Sequence, residues 1–203
     1  MTTARRTQAE RRAATITKLV AATIEAIAEI GYHNTSLGEI SSRAGVSKAA
    51  IFRHFESRTD LVVAAADEVR HRHMVAVADL RLPENTSHPV DLTGLMHFIR
   101  REIRDTTNVV WLELLVAART EPELRTRLEP VLRGLMSEVE EVAVATLSPD
   151  VSPEVARLVT TSLLHMFDGE AIFRHTYPRP DLEEARIDRI ADAFRQLTSA
   201  RRN

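Results

Sequence analysis

Apolar residues recur along this chain at steps of three and four, the spacing of one helical face, and no stretch alternates with period two. Ile16, Leu19, Thr23, Ile27 and Ile30 form one stripe, which stops at Gly31. Leu37, Ile40 and Ala44 make a second, shorter stripe, and Ala50, Ile51 and Phe55 a third. Ser36 and Glu39 stand at the S-x-x-E spacing of a capping box, with Thr35 as a competing cap one residue earlier. Ser57 and Asp60 repeat the spacing with Asp in place of Glu and open a fourth helix. The pattern predicts three helices, long, short and short, closing a small core between about Thr15 and Phe55.

The rest of the chain reads as helix joined by short breaks. Leu61, Ala64, Ala65, Glu68 and Val69 begin a long connecting helix that runs towards Leu82-Pro83, and the segment from Pro83 to Pro89 is a loop. Leu92, Met96, Ile99 and Ile103 form the next stripe. Val109 to Ala118 is apolar on nearly all sides, which predicts a buried helix. Glu121-Pro122 opens another, with Leu124, Leu128, Leu132, Leu135, Val139 and Val142 on one side. After a break from Pro149 to Pro153, Val155, Leu158, Val159, Ser162, Met166 and Phe173 line a further helix. Ile187, Ile190, Ala191, Phe194 and Leu197 line the last. The fold class expected is all-α.

Composition narrows the chemistry. The 203 residues suffice for a small domain joined to a larger one, and 44% hydrophobic content is enough to build cores. There is no cysteine, so disulfides, thiolate metal sites and a cysteine nucleophile are excluded, in keeping with a reducing cytoplasm. The polar, basic start MTTARRTQAERR lacks the apolar core of a signal peptide, and no apolar run has the length of a membrane span. A formal charge of −2 argues against nucleic acid until its distribution is read. Residues 1–60 hold nine Lys/Arg against six Asp/Glu, whereas the remainder is acidic on balance. A basic head on an acidic body is the footprint of a chain that meets phosphate at one end.

That head carries the most informative segment. Gly45 in Ala44-Gly45-Val46 can end one helix and redirect the chain, and Ser47 can cap the next. Lys48, Arg53 and His54 are then left facing outward, as when a helix-turn-helix presents its second helix to a DNA groove. On these residues, from the first helix through GYHNTSLGEISSRAGVSKAAIFRHFESRTDL, the chain resembles the TetR family of transcriptional regulators. The resemblance implies a third helix that enters the major groove and a homodimer on a palindromic operator. It also implies that the last two long helices pair across a two-fold axis. By resemblance, Thr35, Ser36, Lys48, Phe52, His54 and Arg58 match phosphate-contacting or groove-edge positions, and Ala49 and Arg53 match positions facing bases. Arg43 and Ser47 complete the expected DNA-binding set. Three residues depart from the family pattern: Gly38 for a larger, often charged residue, Ala49 for a frequent glycine, and Phe52 for a usual tyrosine.

Further candidates lie in the body. Met96, Phe98, Trp111, Met136, Met166 and Phe167 suit an adaptable apolar ligand wall, although Met at helical spacing also suits a plain core. His165 and Asp168 interrupt an apolar helix at i, i+3, where they can orient a ligand, satisfy each other or sit in a dimer seam. Leu163, Leu164, Phe194 and Leu197 are expected at a dimer interface, the alternative being a larger monomeric core. His71 and His73 at i, i+2 point apart, and no metal site is expected. Arg5, Arg6, Arg11 and Arg12 form either a basic arm that reaches DNA or a solvated tail. No nucleophile elbow, P-loop or dinucleotide fingerprint occurs, so neither a catalytic residue nor a cofactor is expected.

The expectation is therefore an N-terminal helix-turn-helix domain at 1–56, with residues 1–12 a flexible basic arm, and a helical ligand-sensing and dimerisation domain at 57–203. The function expected is a ligand-responsive, cytoplasmic repressor that binds double-stranded DNA as a homodimer and is released by a small apolar or amphipathic effector. The rival readings are a constitutive DNA-binding protein without effector, and an all-α enzyme with an accessory DNA-binding head.

Overall fold

A computed structural model describes residues 7–79, 91–147 and 151–200, with side chains to 196. The described residues form nine helices and no strand: α1 (Gln8–Ile30), α2 (Leu37–Ala44), α3 (Lys48–Ile51), α4 (Arg58–Asp79), α5 (Leu92–Ile103), α6 (Thr106–Ala118), α7 (Pro122–Thr146), α8 (Pro153–Phe173) and α9 (Pro180–Ala200). The all-α expectation holds. No helix among the described residues is long and apolar enough to cross a membrane.

The described residues pack as two compact units, one from those within 1–72 and 106–133, the other from those within 73–105 and 134–200. The helices α4 and α7 each run from one unit into the other. This grouping differs from the division expected after Glu56, because α6 and the start of α7 pack with the N-terminal helices.

In the first unit, Leu19, Thr23 and Ile27 of the α1 stripe are fully buried, as are Ile40, Ile51, Leu61 and Leu114. Thr23 tolerates burial because its hydroxyl donates to Leu19 O at 2.8 Å. The start of α1 corrects the expected flexible arm. Thr7 and Glu10 form a complete capping box, so Arg11 and Arg12 lie in regular helix, while Arg5 and Arg6 lie outside the described residues. The box at Ser57 and Asp60 is also complete: Ser57 N–H donates to Asp60 Oδ2 at 2.9 Å, and Asp60 N–H to Ser57 Oγ at 3.1 Å. Burial alone would raise the Asp60 pKa, but Ser57 and the Arg127 guanidinium outweigh it and hold the carboxyl below its usual value. The expected full burial of α6 is corrected too. Val110, Trp111 and Leu114 are buried, but Leu115 and Val116 face out, at 39% and 63% exposure.

The second unit is pinned by charge as well as by apolar contact. Glu170 on α8 accepts hydrogen bonds from Arg104, at the end of α5, and from Arg186 on α9 at 2.6 Å, with its side chain only 4% exposed. Arg104 also reaches Glu183 at 2.7 Å, and Arg100 pairs with Glu184. The inward face of α8 is Ala156, Thr160, Phe167, Glu170 and Ala171. That corrects the expected stripe, because Leu158 and Phe173 face outward at 65% exposure each. Spacing could not pick the inward side of a helix that is apolar on two sides, and the buried Thr160 and Glu170 disguised it.

Candidate nucleic-acid interface

The turn between α2 and α3 is built locally. Ser36 Oγ accepts from Glu39 N–H at 3.2 Å and opens α2. The second arm of the expected capping box is absent, because the Glu39 carboxylate accepts from Arg43 Nε at 2.7 Å instead. Gly45 takes φ 64° and ψ 33°, a left-handed conformation that costs an L side chain energy and suits glycine. Ser41 Oγ donates to Val46 O at 2.5 Å and closes the corner. Ser47 Oγ then accepts from Ala50 N–H at 3.2 Å and starts α3. After Ile51 the chain continues in hydrogen-bonded turns, His54 N–H and Phe55 N–H both reaching Ile51 O. Ile40 and Ile51, each fully buried, lock the two helices to the core.

This packing leaves Lys48, Ala49, Phe52 and Arg53 exposed, at positions that fall on one side of a helix. Phe52 is 57% exposed, an apolar ring between the exposed cations Lys48 and Arg53. Ser36 and Ser47 are exposed, and each has its oxygen engaged as a cap. His54 is half-buried, with Nδ1 buried and without a hydrogen-bond partner.

Three expected contact residues are engaged within the chain, and the burial of Thr35 corrects its assignment as a DNA ligand. Thr35 is fully buried and donates its hydroxyl to Gly31 O at 2.9 Å. Arg43 is held between Glu29 and Glu39, at 2.7 Å from each. Arg58 donates from Nε to Thr35 O at 2.7 Å and from Nη2 to Tyr32 O, and stacks 4.2 Å from the centre of the Tyr32 ring. Lys48 and Arg53 make no ion pair among the described residues, so their charge remains available to an external anion.

Sequence reasoning missed Tyr32. Its ring is 1% exposed, its N–H donates to Glu113 Oε2 at 2.9 Å, and its hydroxyl donates to Glu121 Oε2 at 2.7 Å. Burial first, and the Glu121 carboxylate second, push its phenol pKa up. The partners lie 81 and 89 residues downstream, so no local pattern could pair them. Gly31 belongs to the same web: it has φ 79°, and a Cβ there would stand 3.1 Å from Glu113 Oε2.

The expected ligand wall divides between the units. Trp111 lies in the first, 4% exposed, with its indole N–H buried and without an acceptor. Met96, Phe98, Met136, His165, Met166, Phe167 and Asp168 lie in the second. Met96, Phe98 and Phe167 are buried there, Met136, Met166 and Asp168 half-buried. His165 faces outward on α8 in line with Leu158 and Ile172, not into the unit's interior. Leu163, Leu164 and Phe194 are half-buried, and the Leu197 side chain lies outside the described residues. A groove of about 350 Å³ between α1 and α4, lined by Ile16, Val20, Ala64, Arg70 and His71 among others, holds none of the expected ligand residues. Among the described residues no group of His, Asp and Glu could hold a metal ion.

Known proteins share this architecture. Residues 19–65 match the model of bacterial regulatory proteins of the tetR family, and residues 95–197 match the C-terminal model of BetI-type transcriptional repressors. An uncharacterized HTH-type transcriptional regulator of Mycobacterium tuberculosis is 37% identical over 183 residues, covering 90% of this chain and 93% of that protein. A transcriptional regulator from Rhodococcus sp. Rha1 superposes with a TM-score of 0.71 at 22% identity, over 89% of this chain and 96% of that one. The regulator FadR from Bacillus subtilis, in complex with stearoyl-CoA, superposes with a TM-score of 0.62 at 18% identity, over 87% of this chain and 95% of that one. The helix-turn-helix on its buried isoleucines, the outward cations and the helical body are thus those of a transcription regulator, and the chain belongs to the tetR family of bacterial regulatory proteins.

Proposed function

We propose that the chain is a ligand-responsive repressor that binds a palindromic operator as a homodimer. The observation that carries this reading is the outer face of α8. Leu158, Ser162, His165, Gly169 and Ile172 succeed one another there at steps of three and four, with Phe173 beside them. Leu158, Ile172 and Phe173 are 65%, 50% and 65% exposed, and a Cβ on Gly169 would touch nothing within 4 Å. Large apolar side chains on the open face of one helix suit a partner surface. A second copy is the partner the family resemblance implies, and small residues at Ser162 and Gly169 permit close approach. In this reading Leu158, Ile172 and Phe173 carry the centre of the seam, with Leu163, Leu164 and Phe194 at its flank.

Within the dimer, two recognition helices set ~34–36 Å apart would enter successive major grooves. Lys48 and Ser36 meet phosphate, Arg53 and Ala49 face bases, and Phe52 and His54 line the groove edge. Residues 1–56 contain these contacts, and 57–203 sense and dimerise. The effector is a small apolar or amphipathic molecule, held in the second unit by Met96, Phe98, Met136, Met166, Phe167 and Asp168. The stearoyl-CoA complex of FadR supports an effector role for this fold without naming the effector here. The continuous helix α4 carries the chain from the helix-turn-helix into residues of the second unit. An effector shifts the equilibrium only by its differential affinity for the DNA-competent and incompetent arrangements. Such a regulator works in the cytoplasm.

Light scattering tests the seam. Leu158→Glu and Phe173→Glu should give monomers with full helix content and lost operator binding, because a carboxylate in an apolar seam is costly. Dimers from both variants would refute the seam. For the effector, binding read by calorimetry should saturate, and operator binding weaken, over one concentration range. Operator DNA must weaken effector binding by the same factor.

A further inference from the structure

Gly38 lies inside α2, where a glycine costs stability relative to alanine, and its backbone does not take the left-handed conformation that would call for one. Something other than backbone geometry favours the missing side chain. A Cβ at Gly38 would stand 3.3 Å from both Cε and Nζ of Lys48, and 3.4 Å from Ser36 Oγ. The first two distances are tighter than ordinary van der Waals contact. The end of the Lys48 side chain therefore rests in close contact with position 38, and a side chain there would press it outward by a few tenths of an ångström.

We propose that Gly38 is a positioning residue for DNA binding: its bare backbone seats Lys48 back across the start of α2, so that the ammonium is held beside the exposed Ser36. The seat explains two features of the sequence together. Position 38 carries no side chain inside a helix, and the cation beside it comes from α3. Arg43 and Arg58, the neighbouring cations, are consumed by Glu29, Glu39 and backbone carbonyls, which leaves Lys48 and Arg53 to supply the charge of this surface. A lysine is a flexible point charge, and holding its stem against a helix restricts the orientations it would otherwise lose on meeting phosphate.

The proposal rests on Lys48 meeting phosphate, and the experiment separates that premise from the seat. Wild type, Gly38→Ala, Lys48→Ala and the double variant are titrated against a labelled duplex that the wild-type chain has enriched from a random-sequence library, across a range of salt. Lys48→Ala should weaken binding several-fold and lower the slope of log K against log salt by ~0.9. An unchanged slope overturns the premise and the seat with it. Gly38→Ala should raise the thermal midpoint, because alanine is the better helix former and the lysine end can swing away, yet should weaken DNA binding and lower the salt slope. In the Lys48→Ala background the same change should leave both readings unmoved. Additive losses in the double variant would mean that Gly38 clears room for the DNA backbone itself, and would overturn the seat. So would a Gly38→Ala chain that binds as wild type.

Discussion

Arg58→Ala separates a strut from a DNA contact. In the structure the guanidinium donates to Thr35 O at 2.7 Å and to Tyr32 O, and covers the Tyr32 ring at 4.2 Å. A hydrogen bond from a charged group contributes ~1.5–3 kcal/mol, and a cation–π contact ~0.5–1 kcal/mol. Tyr32 O keeps the Thr35 N–H at 3.2 Å, so the larger loss falls on Thr35 O. Arg58 is half-buried, and solvent screening pulls the sum to the low end, ~2–3 kcal/mol. For a chain of this size that corresponds to a fall in Tm of ~5–10 °C, readable by circular dichroism. Arg58→Lys should recover less than half, since one ammonium cannot bridge both carbonyls and stack as well. Had Arg58 been a phosphate contact, Arg58→Ala would leave Tm unchanged and lower the salt slope of DNA binding by ~0.9. That pair of results would refute the strut.

Other outcomes follow from the same geometry. Arg53→Ala should change the consensus recovered by binding-site selection, because an arginine facing guanine supplies ~1–3 kcal/mol of discrimination; an identical consensus would make Arg53 a backbone contact. Burial holds the His73 imidazole below its usual pKa of 6.5, against the opposing pull of Glu102 and Asp105. The unfolded chain therefore takes the proton first. The stabilisation is complete above about pH 6.5 and declines as pH falls through that value, and His73→Asn should shrink the difference in Tm between about pH 7.5 and about pH 5.5. An undiminished difference would place the titration elsewhere. Glu170→Gln removes the buried carboxylate shared by Arg104 and Arg186; with Arg186 35% exposed and Arg104 keeping Glu183, the cost should be ~1–2 kcal/mol, seen as a lower Tm with helix content intact, and an unchanged Tm would refute the pair as a stabilising contact.

The helices and their punctuation were legible because each is a local matter. Gly31, Gly45, Ser36, Ser47 and Ser57 stop and start helices through bonds that span five residues or fewer. Faces were harder. The outward side of α8 carries Leu158 and Phe173 while its inward side hides Thr160 and Glu170, so the usual sorting of apolar from polar misreads both sides. Burial also decided the cations. Arg43 and Arg58 look like Lys48 and Arg53 in sequence, yet Glu29 and Glu39 hold the one and the carbonyls of Tyr32 and Thr35 the other. The extent of the first unit was illegible for the same reason, since Tyr32 finds its acceptors on α6 and at the head of α7.

That web around Tyr32 bears on how regulators of this kind can be recombined. A reader head cut at Glu56 and fused to a foreign sensor would carry a buried phenol and a loop N–H whose carboxylate acceptors, Glu113 and Glu121, stayed behind. It would also lose Arg58, whose guanidinium donates to Thr35 O and Tyr32 O. The transplantable piece is therefore discontinuous in sequence: residues through Arg72 together with the stretch from Thr106 to Arg133. A chimera that swaps DNA specificity while keeping its host's sensor would do better to exchange only the exposed residues of α3 than to exchange the head, because Lys48, Ala49, Phe52 and Arg53 can change without touching any of those long-range bonds.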